Sequence, residues 1–328
     1  MSERGAGDEA ERGIIVSGTG GVWRVLADSG EMREAALRGR LKRERDRERG
    51  TAPVKLAVGD DVRLEREAGT DAWAICDILP RRSQLARREP GGRYGERVLV
   101  ANVDQIVVVF AAARPDPHPR MLDRFLVIAE ANGLAARVVI NKVDLVDADD
   151  ARARFAAYER LGYPMHFTSV KQQVGLEALR AAIAGRTSAL TGPSGVGKSS
   201  LLNALYPGLD LRVGEVSEAV NKGRHTTVGA LLHPLPSVGG EPRGFVADTP
   251  GLREVGAWGL APERLDECFP EMRAVKDACR FADCTHSVEP DCAVRAAVDD
   301  GRVSAERYDS YRRLREELEE EEKKWRYT

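Results

Sequence analysis

Gly192-Pro193-Ser194-Gly195-Val196-Gly197-Lys198-Ser199 has the residue types and spacing to surround a phosphate chain. Its glycines allow the backbone N–H groups to converge on phosphate oxygens. Lys198 would reach the β- and γ-phosphates, and the Ser199 hydroxyl would hold Mg²⁺. A helix expected from Lys198 and Ser200 onward adds its positive end to the same place. By composition alone, such a match arises in about one per cent of chains this long. The apolar stretch Ala189-Leu190-Thr191 before it lowers that figure further.

Asn141-Lys142-Val143-Asp144 follows the apolar run Arg137–Ile140 and can read a base. A carboxylate such as Asp144 accepts hydrogen bonds from N1–H and the N2 amino group of guanine. Adenine would leave it unpaired, and sites built on such bonds discriminate strongly. Four residues alone would also fit a helix cap; a phosphate loop in the same chain makes the nucleotide reading the stronger. Thr168-Ser169-Val170 fits a further base-contacting loop, with Ser169 at its centre. Asp248-Thr249-Pro250-Gly251 offers Asp248 to Mg²⁺ and the Gly251 N–H to a γ-phosphate. Thr226 or Thr227, in Gly223-Arg224-His225-Thr226-Thr227, would complete the Mg²⁺ shell.

The order of these motifs is rotated. The base-reading motif precedes the phosphate loop, whereas ordinary GTPases have the reverse. Where many GTPases carry a water-orienting glutamine, this chain has Leu252. His225 is the best replacement, since imidazole can hydrogen-bond an attacking water. Shaping the loop is its alternative role, and Arg224 could neutralise transition-state charge. In this order the γ-phosphate segment also runs directly through Leu252–Trp258 toward the C-terminal region. GTP should therefore pull on that region.

Cys279, Cys284, His286 and Cys292 supply three sulfurs and an imidazole, a set suited to one tetrahedral structural Zn²⁺. Cys268 is expected to pack, and Cys76 is expected to be a small core residue.

Three kinds of patterning surround these motifs. The 328-residue chain is long for one core, so two or three domains are expected. Residues 1–12 are small and charged, without the apolar stretch of a signal peptide, and are expected to be a disordered tail. Residues 13–84 carry short strand patterns at 13–16, 21–26, 61–64 and 73–76, which suggests a small barrel. An OB fold fits, and an SH3-like barrel fits nearly as well. Residues 85–260 alternate apolar strands with helical spacing, the mark of a parallel sheet covered on both faces. Residues 261–328 hold the cysteines and a closing helix packed through Tyr308, Tyr311, Leu314 and Leu318.

The formal net charge of −2 conceals two basic clusters, one between Arg38 and Arg49 and one between Arg81 and Arg97. Paired clusters in one region favour a polyanion partner over a merely solvated face. Arg38–Gly50 is expected to be a mobile basic loop, and the Glu316–Glu322 run to be solvated. No apolar run is long enough to span a membrane, so a cytoplasmic protein is expected, with a monomer as the default.

The rotated motifs and their flanks resemble the circularly permuted GTPases of small-ribosomal-subunit biogenesis. Supporting strings are Val100-Ala101-Asn102-Val103-Asp104-Gln105, Met121-Leu122-Asp123-Arg124-Phe125-Leu126, Gly195–Ser200 and Gly223–Thr227. The stretch Cys279–His286 with Glu289–Cys292 is similar to that family's zinc module. The resemblance implies an OB domain, a permuted P-loop GTPase domain, a mainly helical zinc domain, rRNA binding and GTP hydrolysis stimulated by the small subunit. Two other readings stay open: an RNA-binding module gated by nucleotide, and a permuted GTPase acting on another RNA.

Overall fold

The computed structural model describes residues 10–38, 55–67, 69–88, 96–209, 211, 230–237, 240, 243–248 and 260–326. The expected basic loop lies almost wholly outside them. So do His225, Thr226, Thr227, Gly251 and the linking segment 252–258.

Five strands close a barrel: β1 (Glu11–Thr19), β2 (Val22–Ala27), β3 (Met32–Leu37), β4 (Asp61–Arg66) and β5 (Trp73–Ile78). Their order is β1-β2-β3-β5-β4, with β1 pairing β4 and a parallel β3–β5 contact. This is OB topology, which overturns the SH3-like alternative. Strand β3 was not legible in the sequence, because Met32-Arg33-Glu34-Ala35-Ala36-Leu37 has no apolar alternation and buries only Ala35. Cys76 is half-exposed, so it is not a core residue; its thiol donates to the Arg63 carbonyl at a β4–β5 bulge.

A hairpin of β6 (Gln84–Arg88) and β7 (Glu96–Ala101) leads into the central sheet. That sheet has the order β10-β9-β8-β11-β13-β12. Its strands are β8 (Gln105–Ala111), β9 (Ala135–Asn141), β10 (Met165–Phe167), β11 (Thr187–Thr191), β12 (Leu231–Pro234) and β13 (Phe245–Asp248). All are parallel except the edge strand β12. Every residue of β8 is buried, as expected of a strand covered on both faces.

Helices α1 (Pro119–Ala131), α2 (Ala148–Arg160), α3 (Leu176–Ile183) and α4 (Lys198–Leu205) cover the sheet. Proline opens α1, where a missing N–H is harmless. Asp147 caps α2 by accepting from the Asp149 and Asp150 amides. Leu122, Phe125, Leu126 and Ala129 of α1 join an apolar core that runs from the barrel through one sheet face. The opposite face packs on α3 and α4.

The C-terminal region adds α5 (Pro270–Arg273), α6 (Ala293–Asp299) and the long α7 (Ala305–Arg326). Its core contains Leu265, Phe269, Met272, Tyr311, Leu314 and Leu318, together with Val127 from α1. Cys268 is buried there, as expected, and burial pushes its thiol up to about 12.

Candidate functional site: nucleotide loops and a cysteine–histidine cluster

The base-reading and phosphate segments leave neighbouring strand ends. Residues 141–144 begin at the last residue of β9, 168–169 follow β10, and 192–197 join β11 to α4. Ligands bind parallel sheets at this carboxyl edge. Backbone geometry fixes the loop. Gly192 has φ +135°, and a Cβ there would lie 2.0 Å from the Val109 oxygen. Gly197 has φ +93°, and a Cβ there would press on Asn141 Nδ2 at 2.7 Å. A side chain is barred at Gly192 by backbone and strained at Gly197, where it would also displace the Asn141 amide.

Side chains then tie the loops together. Asn141 Nδ2 donates to the Val196 carbonyl at 2.9 Å, while its Oδ1 accepts from Thr168 Oγ1 at 3.1 Å. Lys142 Nζ donates to the Gly195 carbonyl at 2.6 Å and to the Arg114 carbonyl at 2.5 Å. Ser169 Oγ donates to Asp144 Oδ1 at 2.6 Å, which orients the carboxylate. Lys198 Nζ lies over the loop, donating to the Gly192 and Pro193 carbonyls at 2.8 and 2.7 Å. Ser199 is buried on the first turn of α4, with Ser200 beside it. Asp248 ends β13, two strands from β8 across β11. The structure thus ties Asn141 and Lys142 to the loop at Val196 and Gly195 and pairs Ser169 with Asp144 beside them. Thr168, expected in the base-contacting loop, instead bonds Asn141. The Arg114 carbonyl had no role in the sequence reading, because a backbone oxygen leaves no mark in a side-chain pattern.

Residues 78–258 match the family model described as RsgA GTPase. The chain is 62% identical over 307 residues to the small ribosomal subunit biogenesis GTPase RsgA of Gemmatimonas aurantiaca, spanning 93% of this chain and 97% of that one. The Azotobacter vinelandii protein of the same name is 39% identical, covering 95% and 87% respectively. The chain belongs to the RsgA GTPase family. Its fold matches the crystal structure of YjeQ from Thermotoga maritima with a TM-score of 0.74 at 34% identity, covering 94% of this chain and 98% of that one. It also matches YloQ, a circularly permuted GTPase, with a TM-score of 0.71 at 28% identity, covering 97% and 98%. Like its family, the chain is a GTP-hydrolysing enzyme, and its rotated motif order is the permuted order.

A second site lies in the C-terminal region of this RsgA-family chain. Ligand atoms of Cys279, Cys284, His286 and Cys292 all lie within 4.8 Å of one another. Tetrahedral Zn²⁺ with ordinary bond lengths implies S···S edges of about 3.8 Å and S···N edges of about 3.6 Å. The observed edges are 3.9 Å for Cys279–Cys292, and 3.6 and 3.4 Å from those sulfurs to His286 Nδ1. The cluster can therefore hold one metal ion.

Its surroundings keep the donors in place. His286 has φ +60°, and its Nε2 faces Asp266 Oδ2 at 3.3 Å, which turns Nδ1 toward the sulfurs. Burial pushes the Asp266 carboxyl up, but the bond from His286 and the charge of Lys276 outweigh it and hold the group below its usual range. Tyr308 and Tyr311 of α7 donate to the His286 and Thr285 carbonyls. Glu289 accepts from the Thr285, Ser287 and Val288 amides. Against the effect of burial, the Thr285 hydroxyl and the Glu289, Thr285 and Ser287 amides lower the Glu289 carboxyl to about 2. Asp266 was missed in the sequence, since only spatial proximity identifies it; Glu289 was named within the similar stretch but given no role, which its local turn supplies.

Among the described residues, no helix is long and apolar enough to cross a membrane.

Proposed function

We propose that this chain hydrolyses GTP as a switch on the small ribosomal subunit during its late maturation. The name shared by its relatives carries the partner, and the junction of residues 141–144, 168–169 and 192–199 carries the chemistry. In this reading Asp144 selects guanine and Lys142 packs against it. Ser169 orients Asp144. Gly192, Pro193, Ser194, Gly195, Val196 and Gly197 present backbone N–H groups to the phosphates. Lys198 exchanges its loop carbonyls for β- and γ-phosphate oxygens. Ser199 and Asp248, with Thr226 or Thr227, hold Mg²⁺, which supplies charge neutralisation at the transferring phosphoryl group. Gly251 contacts the γ-phosphate, and His225 orients the attacking water.

The proposal extends to the flanks. Residues 13–84 form the RNA-binding domain, 85–260 the GTPase domain and 261–328 the zinc domain. The metal is Zn²⁺, because three thiolates and an imidazole suit that ion. The protein works in the cytoplasm as a monomer, where rRNA is its polyanion. The test is GTP turnover with and without purified subunits. Small subunits should stimulate it strongly and large subunits should not; equal stimulation by both would remove the partner. His225→Ala should lose most of the stimulated rate while keeping GTP affinity, and an unchanged stimulated rate would exclude that role.

A further inference from the structure

Arg307 of α7 is 3% exposed, yet it is a permanent cation. Three bonds hold it: Nη1 donates to Asp123 Oδ1 at 2.6 Å, while Nε and Nη2 donate to Glu271 at 2.5 and 3.2 Å. Its guanidinium also lies over Phe269, 4.9 Å from the ring centre. Glu271 and Phe269 belong to the cysteine-bearing region. Asp123 belongs to α1, where the Tyr158 hydroxyl from α2 donates to it at 2.9 Å. One side chain thus joins the C-terminal region to two helices of the GTPase domain.

Helix α1 does not end there. The strap 112–118 joins β8 to its first turn. The Ala112 amide donates to the Asn141 carbonyl at 2.8 Å, and the Arg114 carbonyl accepts from Lys142 Nζ. Pro115 stands over the phosphate loop, 3.8 Å from a Cβ position at Gly195. Arg154 of α2 donates to the Pro117 carbonyl at 3.2 Å. The strap therefore bonds residues 141 and 142 and lies beside the phosphate loop at one end, and leads into α1 at the other.

We propose that Arg307 is a positioning residue for guanine nucleotide: by holding Asp123 it fixes α1 and the strap, which holds Lys142 against the phosphate loop. The inference rests on reading residues 141–144 and 192–199 as the nucleotide site. It provides a route between the cysteine cluster and the nucleotide that does not pass through residues 249–259. Tyr158→Phe keeps the ring that lies under the Arg307 guanidinium and removes only the hydroxyl. That hydroxyl's bonds to Asp123 and the Pro119 carbonyl lie within the GTPase domain, and simple attachment would need it less than the Arg307–Asp123 bond.

The experiment measures binding and release of a fluorescent GDP analogue by the full metal-loaded chain, with metal content checked for each variant. Arg307→Met and Tyr158→Phe should each weaken binding about 3- to 10-fold, mainly through faster release. Combined, they should do no more than Arg307→Met alone, since both cut one route. The KM for GTP should rise by the same factor with little change in kcat. Arg313→Ala removes an exposed pair on the same helix and should leave binding unchanged. Affinities within about twofold of the parent in Tyr158→Phe, or additive losses in the double variant, would overturn the proposal. Tyr158→Phe decides alone if Arg307→Met does not fold. Lys142→Ala separates the two readings: unchanged GDP affinity there removes the nucleotide site itself, whereas a large loss with a neutral Tyr158→Phe removes only the route.

Discussion

The barrel and the C-terminal region are fastened to the same central sheet by different physics. The barrel shares a continuous apolar core with the sheet, from Ile15, Val62 and Ile75 through Val100 and Ile106 to Phe125. The C-terminal region packs on α1 through Val127 and Ala131 and adds a set of ion pairs to it. Arg307–Asp123 is buried, while Arg120–Asp309, Arg124–Glu317 and Arg273–Glu130 surround it nearer solvent. Apolar burial is non-directional and tolerates small shifts. A buried guanidinium between two carboxylates tolerates one geometry, because each displaced bond leaves an unpaired charge. The barrel is therefore stuck on, whereas the C-terminal region is keyed in.

Metal removal is the largest test of that contrast. Structural Zn²⁺ contributes about 10–16 kcal/mol in zinc-finger peptides. Cys284→Ser should release the metal and unfold residues 260–326 locally while the barrel stays folded, as read by hydrogen exchange. Cys268→Ser should keep one metal per chain. Exchange that rises equally in the barrel would show the two attachments to be one cooperative unit.

Arg307→Met comes next, at about 3–5 kcal/mol, because it strands Asp123 and Glu271 in the interior. Asp123→Asn and Glu271→Gln added to it should recover most of that loss. Ile15→Ala, in the barrel core and fully buried, should cost about 2–5 kcal/mol with no comparable rescue. Chemical denaturation of the four proteins checks both. A failed rescue would mean that packing, not charge, holds the C-terminal region.

The two attachments also differ in how readable they are from sequence. The apolar runs 104–110 and 137–140 and the spacing of Leu122, Phe125, Leu126 and Ala129 signal the sheet and α1 directly. The strands do so because they are continuously apolar, and the helix because its burial repeats with a period. The phosphate loop, Asn141–Asp144 and the four metal donors are equally legible, since each is a fixed spacing of chemically distinct residues. Arg307, Asp123 and Glu271 give no such signal. They are charged residues 148 to 184 positions apart, or 36 in the nearer pair, and look like solvated faces. Strand β12 was missed for a related reason: Leu231-Leu232-His233-Pro234 is four residues with a terminal proline, tolerated only at a sheet edge.

Acid asks whether the sheet gives way before its attachments. His166 on β10 lies 2.8 Å from Arg137, and burial and that charge hold its imidazole down at about 4, from 6.5. The unfolded chain therefore binds more protons than the folded one between pH 6.5 and about 4, so stability falls as pH drops through that window. The loss should total about 1–2 kcal/mol after allowing for solvent screening of a half-buried ring. His166→Gln should flatten the slope of melting temperature against pH, and Arg307→Met should not.

The smallest effect belongs to the rim of the charged attachment. Arg120 and Asp309 meet at 2.8 Å but are 59% and 44% exposed. Such pairs contribute about 0–1 kcal/mol and are screened by salt. Arg120→Ala should therefore cost little at low salt and nothing measurable at high salt, whereas the cost of Arg307→Met should persist in both. Denaturation at two ionic strengths separates them. If Arg120→Ala proved as costly as Arg307→Met, the key would not be a single buried bond but a distributed field of charge along α1 and α7. The route from Arg307 to the nucleotide would then have no single point at which to cut it.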